Sequence, residues 1–227
     1  FAGDFAWFNR VLDARGILTL LVLPVPAGCK PDAIRFERLA CATIDPSLST
    51  PRIPRASPDY FQNMQVALAT LTRRGLRRIG YATFQEELGR IGAAWMGAYM
   101  GWQAALPPSA RLEPYVDTRW QRADFVAWLQ RERPQAVISN YYPFADWARE
   151  TGWFSRQRPL LYVPLNVNVP DPRWAGIDQR PDMVGAAAID LIVSQVRRNE
   201  FGLPAVPVTM LVEGVWRDLP AEGGHAR

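Results

Sequence analysis

Residues 59–83 read DYFQNMQVALATLTRRGLRRIGYAT and join a helix pattern to a strand pattern. In the helical part, apolar side chains recur every three or four residues and would form one buried face. Ser57 is a favourable N-cap, Pro58 suits the first helical position, and Gly75 suits the end of the helix. Residues 78–83 follow as a short apolar run of strand length. This stretch therefore predicts a helix that feeds directly into a buried strand.

The same alternation extends to both sides of this stretch. Further strands are predicted at 18–25, 40–44, 135–139, 160–165 and 208–213. Helices are predicted at 5–16, 31–39, 89–106, 123–131, 144–151 and 182–198, while 46–58 has the composition of a loop. Apolar strands that alternate with helices favour an α/β fold whose largely parallel sheets are flanked by helices. Two sheets are expected rather than one, with a break near residues 75–80.

The composition is that of a globular protein and gives no sign of a membrane span, a nucleic-acid-binding surface or a disulfide framework. The 227 residues are 48% hydrophobic and 21% charged, which is typical of a globular chain. No apolar run reaches the ~18 residues of a membrane span. The net charge of +4 comes from scattered arginines, which does not indicate a nucleic-acid-binding stripe. Cys29 and Cys41 are too few for a disulfide framework or a zinc site. We therefore expect no metal and a reducing compartment.

The sequence carries no motif that indicates catalysis. A phosphate-binding loop, a dinucleotide-binding glycine fingerprint and a nucleophile elbow are all absent. The one histidine, His225, lies in a glycine-rich tail, and the adjacent Glu86 and Glu87 are interpreted as a solvated loop. We therefore expect a protein that is not an enzyme and needs no cofactor.

Polar residues at the ends of two predicted strands indicate a binding site instead. Asn140 and Asn166 each follow a strand, and ligands of open parallel sheets bind beyond the carboxyl ends of strands. Aromatic residues gather in the same connections, among them Phe84, Trp95, Trp120, Tyr141, Tyr142 and Trp147. Aromatic faces with amides and an arginine suit a neutral polyhydroxy ligand. Alternatives stay open: Trp95 and Trp147 as core residues, Asn140 as a turn residue, and Arg90 as a solvated side chain.

Four segments, taken together, resemble the LacI/GalR-type bacterial transcription regulators. Residues 59–80 are similar to that family's "D…A…L…GHRRI" stretch, and 133–140 (RPQAVISN) to its "PDAVxxxND". Residues 95–99 resemble the segment after the next strand, and 175–192 its "TTVxQ…G..A...L" segment. Each motif is only moderately specific, but their order and spacing agree from about residue 11 to 218.

This resemblance implies a two-lobed fold like that of the periplasmic sugar-binding proteins. It implies that Asp59 borders the ligand cleft, that Trp120 is an aromatic wall, and that Asn140 is the pocket asparagine. Gln179 would lie in a segment crossing between lobes. Three positions depart from the family pattern: Tyr141 and Asn166 stand where aspartates are common, and Ala94 where the pocket arginine is common. Arg90, one helical turn earlier, would supply the guanidinium.

The resemblance also predicts the domains and the function. The N-terminal lobe would comprise 1–77 plus 178–203, and the C-terminal lobe 78–177 plus 204–218, with a tail at 219–227. The N-terminal lobe is expected to be incomplete, because the sequence begins after the family's first strand, helix and second strand.

Such a core would bind a sugar or similar small polar effector between its lobes. It would act as a cytoplasmic homodimer, without a membrane, on a DNA operator, through a headpiece not present in this sequence. An extracytoplasmic sugar-binding protein of a transporter and a metabolic enzyme are the alternatives.

Overall fold

The computed structural model describes residues 5–26, 31, 33–91, 93–155, 160–167 and 174–219. Its strands are β1 (Thr19–Val22), β2 (Ala40–Ile44), β3 (Arg55–Pro58), β4 (Ile79–Phe84), β5 (Tyr115–Asp117), β6 (Ala136–Ser139), β7 (Leu161–Pro164), β8 (Gly176–Asp178), β9 (Thr209–Val212) and β10 (Val215–Arg217). Its α-helices are α1 (Phe5–Ala14), α2 (Tyr60–Arg73), α3 (Gln85–Arg90), α4 (Ala94–Ala104), α5 (Arg122–Glu132), α6 (Tyr142–Glu150) and α7 (Pro181–Arg197).

The chain divides into two compact units. The first comprises Phe1–Pro58 and Arg180–Val212, and the second Asp59–Gln179 and Glu213–Arg227. This division differs from the predicted lobes in two places. Helix α2 joins the second unit because it packs against α4, and β9 joins the first because it pairs with β3. His225, Cys29 and most of the predicted tail lie outside the described residues.

The first unit is built on a parallel sheet with the strand order β1-β2-β3-β9. Small and branched residues of α7, including Val184 and Ala188, pack on this sheet around the buried Ala56. A side-chain amide also joins the two layers: Gln195 Oε1 accepts from Cys41 N at 3.1 Å, and Gln195 Nε2 donates to Cys41 O at 3.0 Å. Because both polar groups of this buried amide are satisfied, it holds α7 in register with β2.

The second unit contains a parallel sheet of order β5-β4-β6-β7 and an antiparallel pair, β8 and β10. Alternate residues of β4 point to opposite faces, as the pleat requires. Ile79 and Tyr81 join a core with α2 and α4, whereas Ala82 and Phe84 join a core with α5 and α6. Both faces of the sheet are thus covered, and the predicted α/β fold with parallel sheets flanked by helices is confirmed.

Gly80 shows how closely the second face is packed. A Cβ built on this residue would lie 2.7 Å from the ring of Trp128, which is fully buried on α5. Only glycine therefore lets the indole of Trp128 reach the backbone of β4.

Several predicted elements differ in detail. The N-cap of α2 is Asp59, whose Oδ1 accepts from Gln62 N at 2.9 Å, while Ser57 and Pro58 belong to β3 inside the predicted loop. The predicted helix 89–106 is broken between α3 and α4, where Ala93 is left-handed with φ 56°. Among the described residues of the segment 31–39, only Phe36–Arg38 are helical, as a single 3₁₀ turn. Strands β5, β8 and β10 were not predicted.

Candidate ligand-binding site

The carboxyl ends of the second unit's four parallel strands lie along one edge of their sheet. β4 ends at Phe84, β5 at Asp117, β6 at Ser139 and β7 at Pro164. Trp120 follows β5, Tyr141 follows β6, and Glu87 and Arg90 lie on α3 after β4. Because β5, β4 and β6 are neighbours in the sheet, the residues that follow them meet at this edge.

Three aromatic rings, Phe84, Trp120 and Tyr141, form what we call the aromatic wall. The ring of Trp120 stacks on that of Phe84, with centroids 3.6 Å apart and planes inclined by 28°. The ring of Tyr141 meets Phe84 edge-on at 4.4 Å. Phe84 is only 2% exposed, whereas Trp120 is 51% exposed. The wall therefore presents an accessible indole on a rigid, buried support.

A buried aspartate fixes the backbone that carries Trp120. Asp117 Oδ1 accepts hydrogen bonds from the backbone N–H groups of Arg119 and Trp120, both at 2.8 Å, and Asp117 Oδ2 accepts one from Tyr115 OH at 3.0 Å. These bonds stabilise a tight turn in which Trp120 takes the left-handed conformation, with φ 55°. Burial first, and then the hydrogen bond to Asp117, raise the pKa of Tyr115, so its hydroxyl stays a donor.

An ion pair between a buried carboxylate and a partly exposed guanidinium lies on α3, directly after β4. Glu87, 5% exposed, accepts from Arg90 Nε at 2.9 Å and from Arg90 Nη2 at 2.6 Å in a bidentate arrangement. Tyr141 OH donates to Glu87 Oε2 at 3.0 Å. Burial, followed by the charge of Glu87 and the hydrogen bond to it, raises the pKa of Tyr141. The interpretation of Glu87 as a solvated loop residue is wrong, because it lies buried beneath Arg90 and the aromatic wall.

Sequence reasoning could have found Glu87 from its spacing. Glu87 and Arg90 are three residues apart, which places their side chains on the same face of a helix. Their pairing also changes how Arg90 is understood. Its guanidinium lies at the predicted edge of the sheet, but it is held by a carboxylate rather than solvated on its own.

The two candidate asparagines lie at the same edge. Asn140 directly follows β6, is half-buried, and precedes Tyr141 of the aromatic wall in the sequence. Asn166 follows β7 and is also half-buried, and its Oδ1 is buried without a hydrogen-bond partner among the residues that the structure describes. A buried acceptor without a partner is costly unless a further group donates to it, so this oxygen would gain from a hydrogen-bond donor.

The other two candidates have partners inside the protein. Asp59 caps α2 through Gln62 N, and Gln179 Nε2 donates to Leu165 O at 2.7 Å. The structure thus joins Trp120 and Arg90 in one cluster, while Asp59 and Gln179 bond to their own helix and to the end of β7. Trp95 is a core residue, 1% exposed, and Trp147 packs against Phe144 and Phe125.

Two features are missing from the part of the chain that the structure describes. None of the helices in this part of the chain is long and apolar enough to cross a membrane. No group of three or more His, Cys, Asp or Glu residues among the same residues is arranged to hold a metal ion.

Comparison with solved structures places the fold. A regulatory protein of the LacI family from Chloroflexus aggregans is 17% identical with a TM-score of 0.70, and the match covers 97% of this chain and 82% of that one. A periplasmic binding protein/LacI transcriptional regulator from Alkaliphilus metalliredigens, complexed with D-xylulofuranose, is 13% identical with a TM-score of 0.64, covering 95% and 81%. A LacI family transcriptional regulator from Enterococcus faecium with bound ribose is 14% identical with a TM-score of 0.59, covering 96% and 84%.

The sequence itself matches no protein-family model and none of the curated proteins with which it was compared. At these identities the structural likeness establishes the fold, which is that of the effector-binding domains of LacI-type regulators. The predicted resemblance is confirmed at this level. The solved neighbours are transcriptional regulators rather than enzymes.

Proposed function

We propose that this chain is the sugar-sensing core of a transcriptional regulator. The observation that carries the proposal is the exposed indole of Trp120, stacked on the buried ring of Phe84 at the carboxyl edge of a parallel sheet. Parallel sheets bind ligands at this edge, and its polar residues, Asn140, Asn166 and Arg90, are the types that bind hydroxyl groups.

Stacking on an aromatic face suits a sugar for a physical reason. The C–H groups of a sugar ring form an apolar face, which the indole of Trp120 can cover, while the hydroxyls point outward to hydrogen-bonding groups. The asparagine amides both donate and accept, so they can pair with hydroxyls of either orientation. Solved neighbours of this fold contain D-xylulofuranose and ribose, which supports a carbohydrate effector for this chain.

The regulatory part of the proposal follows the family resemblance. The effector would prefer one arrangement of the protein and shift the population toward it, by as much as its two affinities differ. In a cytoplasmic homodimer this shift would change operator binding through a DNA-binding headpiece. Ligand contacts by Asp59 and Gln179 also belong to this proposal, although both side chains have partners within the protein.

Calorimetry with a panel of pentoses, hexoses and disaccharides tests the binding site. We expect at least one sugar to bind the native chain, and Trp120→Ala to weaken that sugar about tenfold, or about 1.4 kcal/mol, since it removes the apolar surface that covers the sugar ring. Trp7→Ala is the matched control, because Trp7 is similarly exposed, at 56%, but lies on α1 of the first unit. If both variants weakened the sugar equally, or neither did, the assignment of the aromatic wall would be wrong.

A transport receptor is the second candidate, because one solved neighbour is described both as a periplasmic binding protein and as a LacI regulator. The coding sequence upstream of Phe1 distinguishes the two candidates. A helix-turn-helix followed by a hinge supports the regulator, whereas a signal peptide supports the transport receptor.

A further inference from the structure

The two arginines beside the aromatic wall are each paired with a carboxylate of the protein. Arg90 is held by Glu87, and Arg119 pairs with Asp124 at 2.5 Å. The buried Asp117 accepts three hydrogen bonds within its own turn. The two cations of this cluster are therefore both committed to carboxylates of the protein.

We propose that Glu87 determines the charge specificity of the site: by neutralising Arg90 it selects an uncharged polyhydroxy ligand over the phosphate or acid of the same sugar. This inference rests on the proposed function, because it concerns the ligand of the same aromatic wall. It goes further by naming the class of sugar that is accepted and the residue that rejects the other class.

Geometry explains the rejection. Guanidinium binds phosphate or carboxylate best through a two-pronged fork, and in Arg90 the Nε and Nη2 atoms already form such a fork with Glu87. An anionic ligand would have to displace Glu87, or approach Arg90 while the negative charge of Glu87 lies within hydrogen-bond distance. Like charges in a partly desolvated site repel strongly, so the anion is disfavoured.

Tyr141 also favours a neutral sugar over an anion, because its hydroxyl is taken by Glu87. Its hydroxyl is a donor that could bind a ligand oxygen, but it donates to Glu87 Oε2 instead. Because the raised pKa keeps this hydroxyl protonated, Glu87 holds two of the strongest donors at the edge of the sheet. A neutral sugar depends less on these two donors than an anion would, since it can also use the aromatic face and the asparagine amides.

Calorimetry with matched pairs, ribose against ribose 5-phosphate and xylulose against xylulose 5-phosphate, tests this inference. For the native chain we expect the neutral sugar to bind at least tenfold more tightly than its phosphate. In Glu87→Gln, which keeps the size of the side chain but removes its charge, the phosphate should gain about tenfold relative to the neutral sugar. That gain should shrink as salt is added, because it arises from the charge of Arg90.

Three further variants make the result specific. Glu150→Gln removes a carboxylate from an exposed ion pair with Arg122, so it changes the net charge equally and should leave the preference unaltered. The double variant Glu87→Gln/Arg90→Gln removes both charges of the pair and should restore the native preference. Arg90→Gln alone leaves the charge of Glu87 unpaired, so it should reject the phosphate more strongly than the native chain does, and it tests the inference if Glu87→Gln does not fold.

The inference is overturned if the native chain binds the phosphate as tightly as the neutral sugar. It is also overturned if neither Glu87→Gln nor Arg90→Gln alters the ratio of the two affinities, or if Glu150→Gln alters it as much. A chain that binds no sugar of either charge in the larger panel overturns the proposed function itself, and this inference with it.

Discussion

In both units, an aspartate that follows a strand accepts a hydrogen bond from the backbone of the next turn, but the two turns carry different side chains. In the first unit, Asp45 follows β2 and its Oδ1 accepts from Ser47 N at 2.7 Å. Ser47 Oγ then accepts from Val25 N at 3.0 Å, so the turn closes on the unit's own backbone. In the second unit, the turn made by Asp117 presents the half-exposed indole of Trp120. What distinguishes the candidate site is therefore the side chain that the turn carries, not the turn.

Replacing each of the two aspartates separates stability from binding. Asp117→Ala removes the acceptor of two backbone N–H groups and a tyrosine hydroxyl, so it should lower the free energy of unfolding by about 2–3 kcal/mol. It should also weaken sugar binding, because Trp120 loses its fixed orientation. Asp45→Ala should cost about 1–2 kcal/mol and leave sugar affinity unchanged. Urea denaturation and calorimetry measure the two quantities.

Asp117→Asn is the control for this comparison, because its amide oxygen can still accept from the backbone of the turn. Affinity retained in Asp117→Asn and lost in Asp117→Ala supports a positioning role for Asp117. Equal losses of affinity after the two alanine substitutions would show that the two turns do not differ in function.

The dependence of the free energy of unfolding on alkaline pH tests the role of Tyr141 in the second unit. The pKa of Tyr141 is raised above the usual value of 10 in the folded protein, first by burial and then by Glu87. The stabilisation that depends on its protonated form is thus complete below pH 10 and is lost as the pH rises above that. The free energy of unfolding of Tyr141→Phe should fall less steeply above pH 10, by up to about 1.4 kcal/mol per pH unit. Denaturation of both proteins at pH 8 to 11 measures the difference, and parallel curves would contradict it.

The smallest expected effects concern one glycine in each unit. Gly97 on α4 and Gly185 on α7 lie inside helices, and a Cβ built on either would meet no atom within 4 Å. Each change to alanine should therefore raise the free energy of unfolding by about 0.5–1 kcal/mol, because alanine loses less backbone entropy in a helix. Thermal unfolding compares the two. A loss of stability at either position would mean that its helix face is covered in the folded protein.

Strong periodic patterns predicted most of the fold. Residues 40–44 form the expected strand, and α2, α5, α6 and α7 lie within two residues of their expected bounds. Strands β3, β5, β8 and β10 have only three or four residues each, too few to establish an alternating pattern, and β3 contains proline.

The candidate site was predicted less completely, and the reason is long-range pairing. Asn140 could be placed at the edge of a sheet, since its position follows from the end of a predicted strand. Trp120 was predicted from the clustering of aromatic residues and from the family resemblance. Glu87 could not be connected to Tyr141, 54 residues away, without knowing that β4 and β6 are neighbours. Asp117 was missed for the same reason, because β5 itself was not predicted.

A crystal structure of the chain with a sugar from the panel tests the central claim most directly. We predict that the sugar ring stacks on the indole of Trp120 and that its hydroxyls lie within hydrogen-bond distance of Asn140 or Asn166. Glu87 should still be paired with Arg90. A sugar bound elsewhere, or with Trp120 exposed and untouched, would contradict it.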